Sequence, residues 1–154
     1  MDIGEKMDEK VIKVSRVSKK TKGGNKVRFA ALVVVGDRRG KVGIGLGKSG
    51  DVAAAIAKAV LYAKQRMITV PIHNETIPQR IMVKKGAAYI LLKPAPKGTG
   101  IIAGGAIRSV VEAAGIRNIS SKILGSSNKS GNAQATFQAL IELSQMEEDR
   151  KVKF

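Results

Sequence analysis

The chain has 154 residues, with 28 lysines and arginines against 12 aspartates and glutamates, a formal net charge of +16. A chain this basic repels itself and suits a polyanionic partner, nucleic acid first and an anionic membrane surface second, which disfavours an enzyme for neutral substrates. At 44% hydrophobic it is too apolar for a disordered basic tail, and without Cys it has no disulfide or thiolate chemistry, which suits a reducing compartment.

The acids cluster at the ends. Asp2, Glu5, Asp8 and Glu9 precede Lys10, and Glu142, Glu147, Glu148 and Asp149 follow Ile141, so residues 10–141 hold 24 basic groups against four acids, a net +20. The N-terminal MDIGEKMDEK is acidic and has no apolar core, so it reads as neither a secretory signal nor a transit peptide. No apolar run approaches the roughly 18 residues of a membrane span, and the expectation is a soluble cytoplasmic protein with no membrane contact.

Val11 to Ser18 interleaves β-branched residues with Lys and Arg, Lys19 to Asn25 reads as a turn-forming loop, and Val27 to Val35 is an apolar run: strand, loop, strand. Lys10 to Arg28 contains eight basic residues and no acid. Within it, Gly23-Gly24 lets backbone approach a phosphate or sugar where a side chain would block it. The second strand is apolar on both faces from Ala30 and should be central, closed by the turn Gly36–Gly40 with Asp37 in a turn role.

In Lys41 to Lys48, Val42, Ile44 and Leu46 alternate with Gly43, Gly45 and Gly47, which predicts a strand with one packed face and one face of bare backbone. Asp51 is placed to cap a helix in which Val52, Ile56, Ala59, Ala63 and Met67 form an apolar stripe with Lys58 opposite. Pro71, Pro78 and the polar stretch around His73 mark a domain junction. Arg80–Lys85 and Ala88–Lys93 then read as strands, Ile101–Ala114 as a helix closed by Gly115, Ile116–Leu124 as a strand, and Asn132–Gln145 as a helix.

Three phosphate-loop patterns fail around the glycine strand. Gly47-Lys48-Ser49 resembles the end of a P-loop, but the first glycine would fall at Val42, and a glycine ladder is not a cradle of inward N–H groups. Gly45-Leu46-Gly47-Lys48-Ser49-Gly50 fits the dinucleotide spacing without an acid in residues 52–74 to hold a ribose, and the kinase reading lacks its catalytic tripeptides. His73 is the single histidine, so no metal site or catalytic constellation assembles, and neither cofactor nor enzymatic activity is expected. Phe29, Tyr62, Tyr89, Phe137 and Phe154 are too few for a base-stacking platform, and Phe29, Tyr62 and Phe137 read as packing residues; folded RNA, read by backbone and shape, remains.

The block Gly24-Asn25-Lys26-Val27-Arg28-Phe29, followed by Val33 to Lys48, closely resembles the RNA-binding domain of the bacterial-type small-subunit ribosomal protein five family. Gly98-Thr99-Gly100-Ile101-Ile102-Ala103-Gly104-Gly105-Ala106-Ile107-Arg108 resembles that family's second-domain signature, and Leu124 to Asn128 continues it. The resemblance spans about Asp8 to Leu143. It implies an α+β chain of two small two-layer domains. Residues 9–72 would form a double-stranded-RNA-binding-like domain of three antiparallel strands and one helix, the first helix missing. Residues 73–146 would form a β(3)-α-β-α domain with a left-handed crossover, and 1–8 and 147–154 flexible ends.

The resemblance also implies a structural, non-catalytic constituent of the small ribosomal subunit, binding its ribosomal RNA and contacting small-subunit proteins four and eight. It would stabilise the head–body arrangement and the messenger RNA entry channel and contribute to translational accuracy. The RNA-binding residues are expected to be Arg16, Lys19, Lys20, Lys22, Gly23, Gly24, Lys26, Arg28, Arg38, Arg39, Lys41 and Lys48. Gly104, Gly105, Arg108 and Arg117 are expected at protein contacts. Asn25 and Gln134 stand where many members carry a basic residue.

Overall fold

The computed structural model describes residues 7–152, with backbone alone at 19–21, 25, 151 and 152. A long hairpin, β1 (Asp8–Thr21) and β2 (Gly24–Gly36), is followed by β3 (Lys41–Ser49), helix α1 (Val52–Gln65) and a two-residue strand β4 (Ile68–Thr69). These strands form an antiparallel sheet in the order β1-β2-β3-β4. As its two apolar faces require, β2 is interior: Ala31 to Val35 are at most 2% exposed, with Ala31, Val33 and Val35 towards α1 and Leu32 and Val34 on the other side.

The glycine strand packs on both faces: Val42 and Ile44 join the core as expected, and the bare face is covered too, since a Cβ on Gly43, Gly45 or Gly47 would stand 2.1–2.2 Å from the carbonyl oxygens of Ala63, Ala59 and Ala55. Glycine on the strand and alanine on the helix let α1 settle onto sheet backbone, and the buried stripe is therefore Ala55, Ala59 and Ala63. Lys58 is not on the far side, since its Nζ donates to the Lys48 carbonyl at 3.3 Å. Tyr62 is exposed rather than packed. Asp51 occupies the N-cap position with extended backbone, but its side chain makes no capping bond.

The second half contains β5 (Ile81–Lys85), β6 (Ala88–Pro94), β7 (Ile101–Ile102), α2 (Gly105–Ala114), β8 (Ile119–Ile123) and α3 (Lys129–Val152). This is the β(3)-α-β-α order, in a mixed sheet β5-β6-β8-β7 whose parallel strands β7 and β8 are joined through α2. The expected helix from Ile101 is corrected: Ile101 and Ile102 pair with Ile119 and Ser120, and the helix starts only after Gly104. Similarly, α3 runs on through residues 147–152, expected as part of a flexible end, because its charged final turns continue a helix anchored upstream by Ala139, Leu140 and Leu143. Residues 1–6 and 153–154 lie outside the described residues.

The layers stack as α1, first sheet, α2 with α3, second sheet. One core cluster runs from Leu32, Val34, Val42 and Ile44 through Ile107, Val110, Val111, Leu140 and Leu143 to Val83, Ile90 and Leu92. The β2–β3 turn clamps the halves together: the amides of Arg38 and Gly40 donate to the carbonyls of Ala113 and Ala114 at 3.0 and 2.8 Å, satisfying the last turn of α2. Arg38 takes a positive φ of 59° there, and Asp37 Oδ1 holds the turn by accepting the amides of Arg39 and Lys41 at 2.7 and 3.0 Å.

Candidate nucleic-acid interface

The third strand joins the hairpin only from Phe29, which pairs with Ser49. Beyond that rung, Val17–Thr21 and Gly24–Arg28 form a two-stranded ribbon of five pairs with no third strand, about 17 Å long at ~3.4 Å per residue. The expected loop is thus a two-residue turn, Lys22-Gly23, with Lys19, Lys20 and Lys26 on strands. Gly24 closes the turn at φ 122°, where a side chain would be strained, and a Cβ on Gly23 or Gly24 would meet nothing within 4 Å. The tip is therefore backbone open to close approach.

Arg16, Lys22, Lys26 and Arg28 are exposed on this ribbon or at its base; the side chains of Lys19 and Lys20 lie outside the described residues. The register sets Lys19 opposite Lys26. An isolated two-stranded ribbon is marginal in water, and this one has neither a third strand nor core packing beyond the Phe29 rung. Lys48, exposed and paired with Ala30, sits beside the ribbon base.

The remaining expected cations are elsewhere. Arg38, Arg39 and Lys41 belong to the turn at the far end of β2, about 40 Å from the tip at ~3.3 Å per residue. Arg38 pairs with Asp8, and it lines a cavity of ≈ 470 Å³ with Arg108, Glu112 and Arg117. Arg108 Nε donates to Glu112 Oε1 at 2.9 Å, one turn along the same helix. The structure thus groups Arg38 with the two arginines expected to meet protein, not with the ribbon. Gly104 is the N-cap of α2 and Gly105 its first residue, both exposed.

Residues 7–71 match the family model described as ribosomal protein S5, N-terminal domain, and residues 83–153 match ribosomal protein S5, C-terminal domain. The small ribosomal subunit protein uS5 of Thermotoga neapolitana is 50% identical over 139 residues, covering 90% of this chain and 78% of that relative. The chain belongs to the uS5 family. A uS5-family protein is a structural constituent of the small ribosomal subunit and not an enzyme. Among the described residues no group of three or more His, Cys, Asp or Glu could hold a metal ion, and no helix is long and apolar enough to cross a membrane.

Sequence reasoning missed the basic residues on the second sheet. Arg80, Lys84, Lys93 and Lys122 are all exposed there, and the alternation Met82-Val83-Lys84 and Leu91-Leu92-Lys93 was the signal that could have placed them on one face.

Proposed function

We propose that this uS5-family chain is anchored in the small subunit by its β1–β2 ribbon, which inserts into folded ribosomal RNA. The observation that carries this reading is the β1–β2 hairpin: eight basic residues and no acid from Lys10 to Arg28, five strand pairs extending past the end of β3, and a glycine tip with no side chain to hold RNA away. Arg16, Lys19, Lys20, Lys22, Lys26 and Arg28 neutralise phosphates, Lys48 adds charge at the base, and the Gly23 and Gly24 backbone makes the closest approach. Arg39 and Lys41 form a second contact at the opposite end of β2. With about six phosphates engaged, affinity falls on the order of a thousandfold or more between about 50 and 200 mM salt.

The α2 face would supply protein contacts. Gly104 and Gly105 leave the start of the helix open, and Arg108 and Arg117 face outward, suited to acidic groups on small-subunit proteins four and eight. With the ribbon at one end and this face near the other, the stacked layers would act as a rigid spacer that supports the head–body arrangement and the messenger entry channel, and through them accuracy. The test is sedimentation: the protein should travel with the small subunit and leave it only at high salt. Release at low salt would contradict the reading, and charge reversal at Arg108 and Arg117 that leaves assembly unchanged would remove the protein-contact part.

A further inference from the structure

The second sheet has one covered and one uncovered face. Ile81, Val83, Ala88, Ile90 and Leu92 belong to the core cluster shared with α2 and α3, so the alternating residues Met82, Lys84, Tyr89, Leu91 and Lys93 point the other way. The register extends that outer face to Lys122, opposite Leu91, and to Ser120, opposite Lys93. Arg80 joins it, its guanidinium 3.6 Å from Met82 Sδ. The first sheet has α1 over its outer face; among the described residues no element covers the outer face of the second.

Charge separates across this half of the chain. Its six acids are Glu75 in the linker, Glu112 on α2, and Glu142, Glu147, Glu148 and Asp149 on α3, so none lies on the second sheet. The modest net charge of residues 73–154 therefore conceals a sheet face that is entirely basic. Arg80, Lys84, Lys93 and Lys122 are exposed on it, and among the described residues none of them forms a salt bridge. Strand rise and spacing put the three lysine Cα atoms about 8–14 Å apart, a span a nucleic-acid backbone can follow. Half-buried Tyr89 and exposed Met82 lie between them as apolar ground for a ribose or base.

We propose that this uncovered face is a further RNA-binding surface, separate from the ribbon and from Arg39 and Lys41, laying the backbone of small-subunit ribosomal RNA across Lys84, Lys93, Lys122 and Arg80. The argument for RNA over protein is charge: four cations without an acid need a partner of continuous negative charge. This inference rests on the RNA-binding reading above, and it makes the chain a bridge between two RNA segments, one at the ribbon and one on the sheet.

The test uses the full chain and protein-free small-subunit ribosomal RNA. Lysine acetylation read by mass spectrometry should show Lys84, Lys93 and Lys122 protected by the RNA. The variant K84E/K93E/K122E should bind at least about tenfold more weakly, with its log–log salt slope reduced by about 2 to 3, close to one unit per lost phosphate contact. If the unaltered chain does not bind the RNA, the ribbon reading fails together with this one. If it binds, but the three lysines stay reactive and the variant keeps affinity and slope, only the sheet-face inference is overturned. If RNA binding is unchanged while incorporation into subunits is lost, the face docks a protein and the inference is likewise overturned. Should the variant misfold, protection in the unaltered chain decides alone.

Discussion

Gly45→Ala separates the two meanings of the glycine strand, a ligand loop or a seat for a helix. The new Cβ would lie 2.1 Å from the Ala59 carbonyl oxygen and 2.6 Å from the Ala63 amide nitrogen. Both obstacles are helix backbone, so no side chain can turn aside; α1 must retreat by about 1 Å to restore an ordinary contact distance of roughly 3.3 Å or more. A gap of that size forfeits a quarter to a half of the dispersion energy along the interface, and overpacking by one methyl costs about 1–3 kcal/mol. The stiffer unfolded chain returns about 0.4–1 kcal/mol, leaving a net loss of about 1–2 kcal/mol. For a chain of this length that lowers Tm by about 2–8 °C. Urea denaturation of Gly45→Ala beside Gly50→Ala measures it, since Gly50 has nothing within 4 Å of its Cβ position and should be unchanged or gain up to about 1 kcal/mol. Equal stability of the two variants would refute the packing argument.

Asp37→Ala removes the acceptor for the Arg39 and Lys41 amides from the turn that clamps α2, and should cost about 1–2 kcal/mol in thermal unfolding. Asn118 is buried, accepts the Gly100 amide at 3.0 Å and donates to Glu75 Oε2 at 3.1 Å, so Asn118→Ala should cost about 2 kcal/mol in urea denaturation by stranding two partners. In the free protein, amide exchange should be fast across Val17–Arg28 and slow across Ala31–Val35, and addition of ribosomal RNA should slow the first set; equal rates would contradict the marginal ribbon.

Much of the fold was legible because burial leaves periodic marks. The two-sided apolar run of β2 could only be interior, and Asp37 sits where a turn needs an acceptor. What escaped depends on partners distant in sequence. The alternation in β3 shows that glycines share a face but not that Ala55, Ala59 and Ala63 will lie on it. Two residues cannot display a period, so Ile101-Ile102 becomes a strand only through pairing with Ile119 and Ser120. The candidate interface was half legible: acid-free Lys10–Arg28 pointed to the ribbon, while its strand character followed from a register that composition does not reveal. The meeting of Arg38 with Arg108 and Arg117 arises from the clamp between the two halves, which no local pattern records.

The central claim, that the ribbon carries RNA binding, is tested most directly by the salt dependence of binding to protein-free small-subunit ribosomal RNA. Lys22, Lys26 and Arg28 are exposed and outside the core, so K22E/K26E/R28E should fold normally. The account predicts that the triple variant loses affinity by more than about a hundredfold near 100 mM salt, with its log–log slope smaller by about 2 to 3 units. A folded variant with the affinity and slope of the unaltered chain would contradict it.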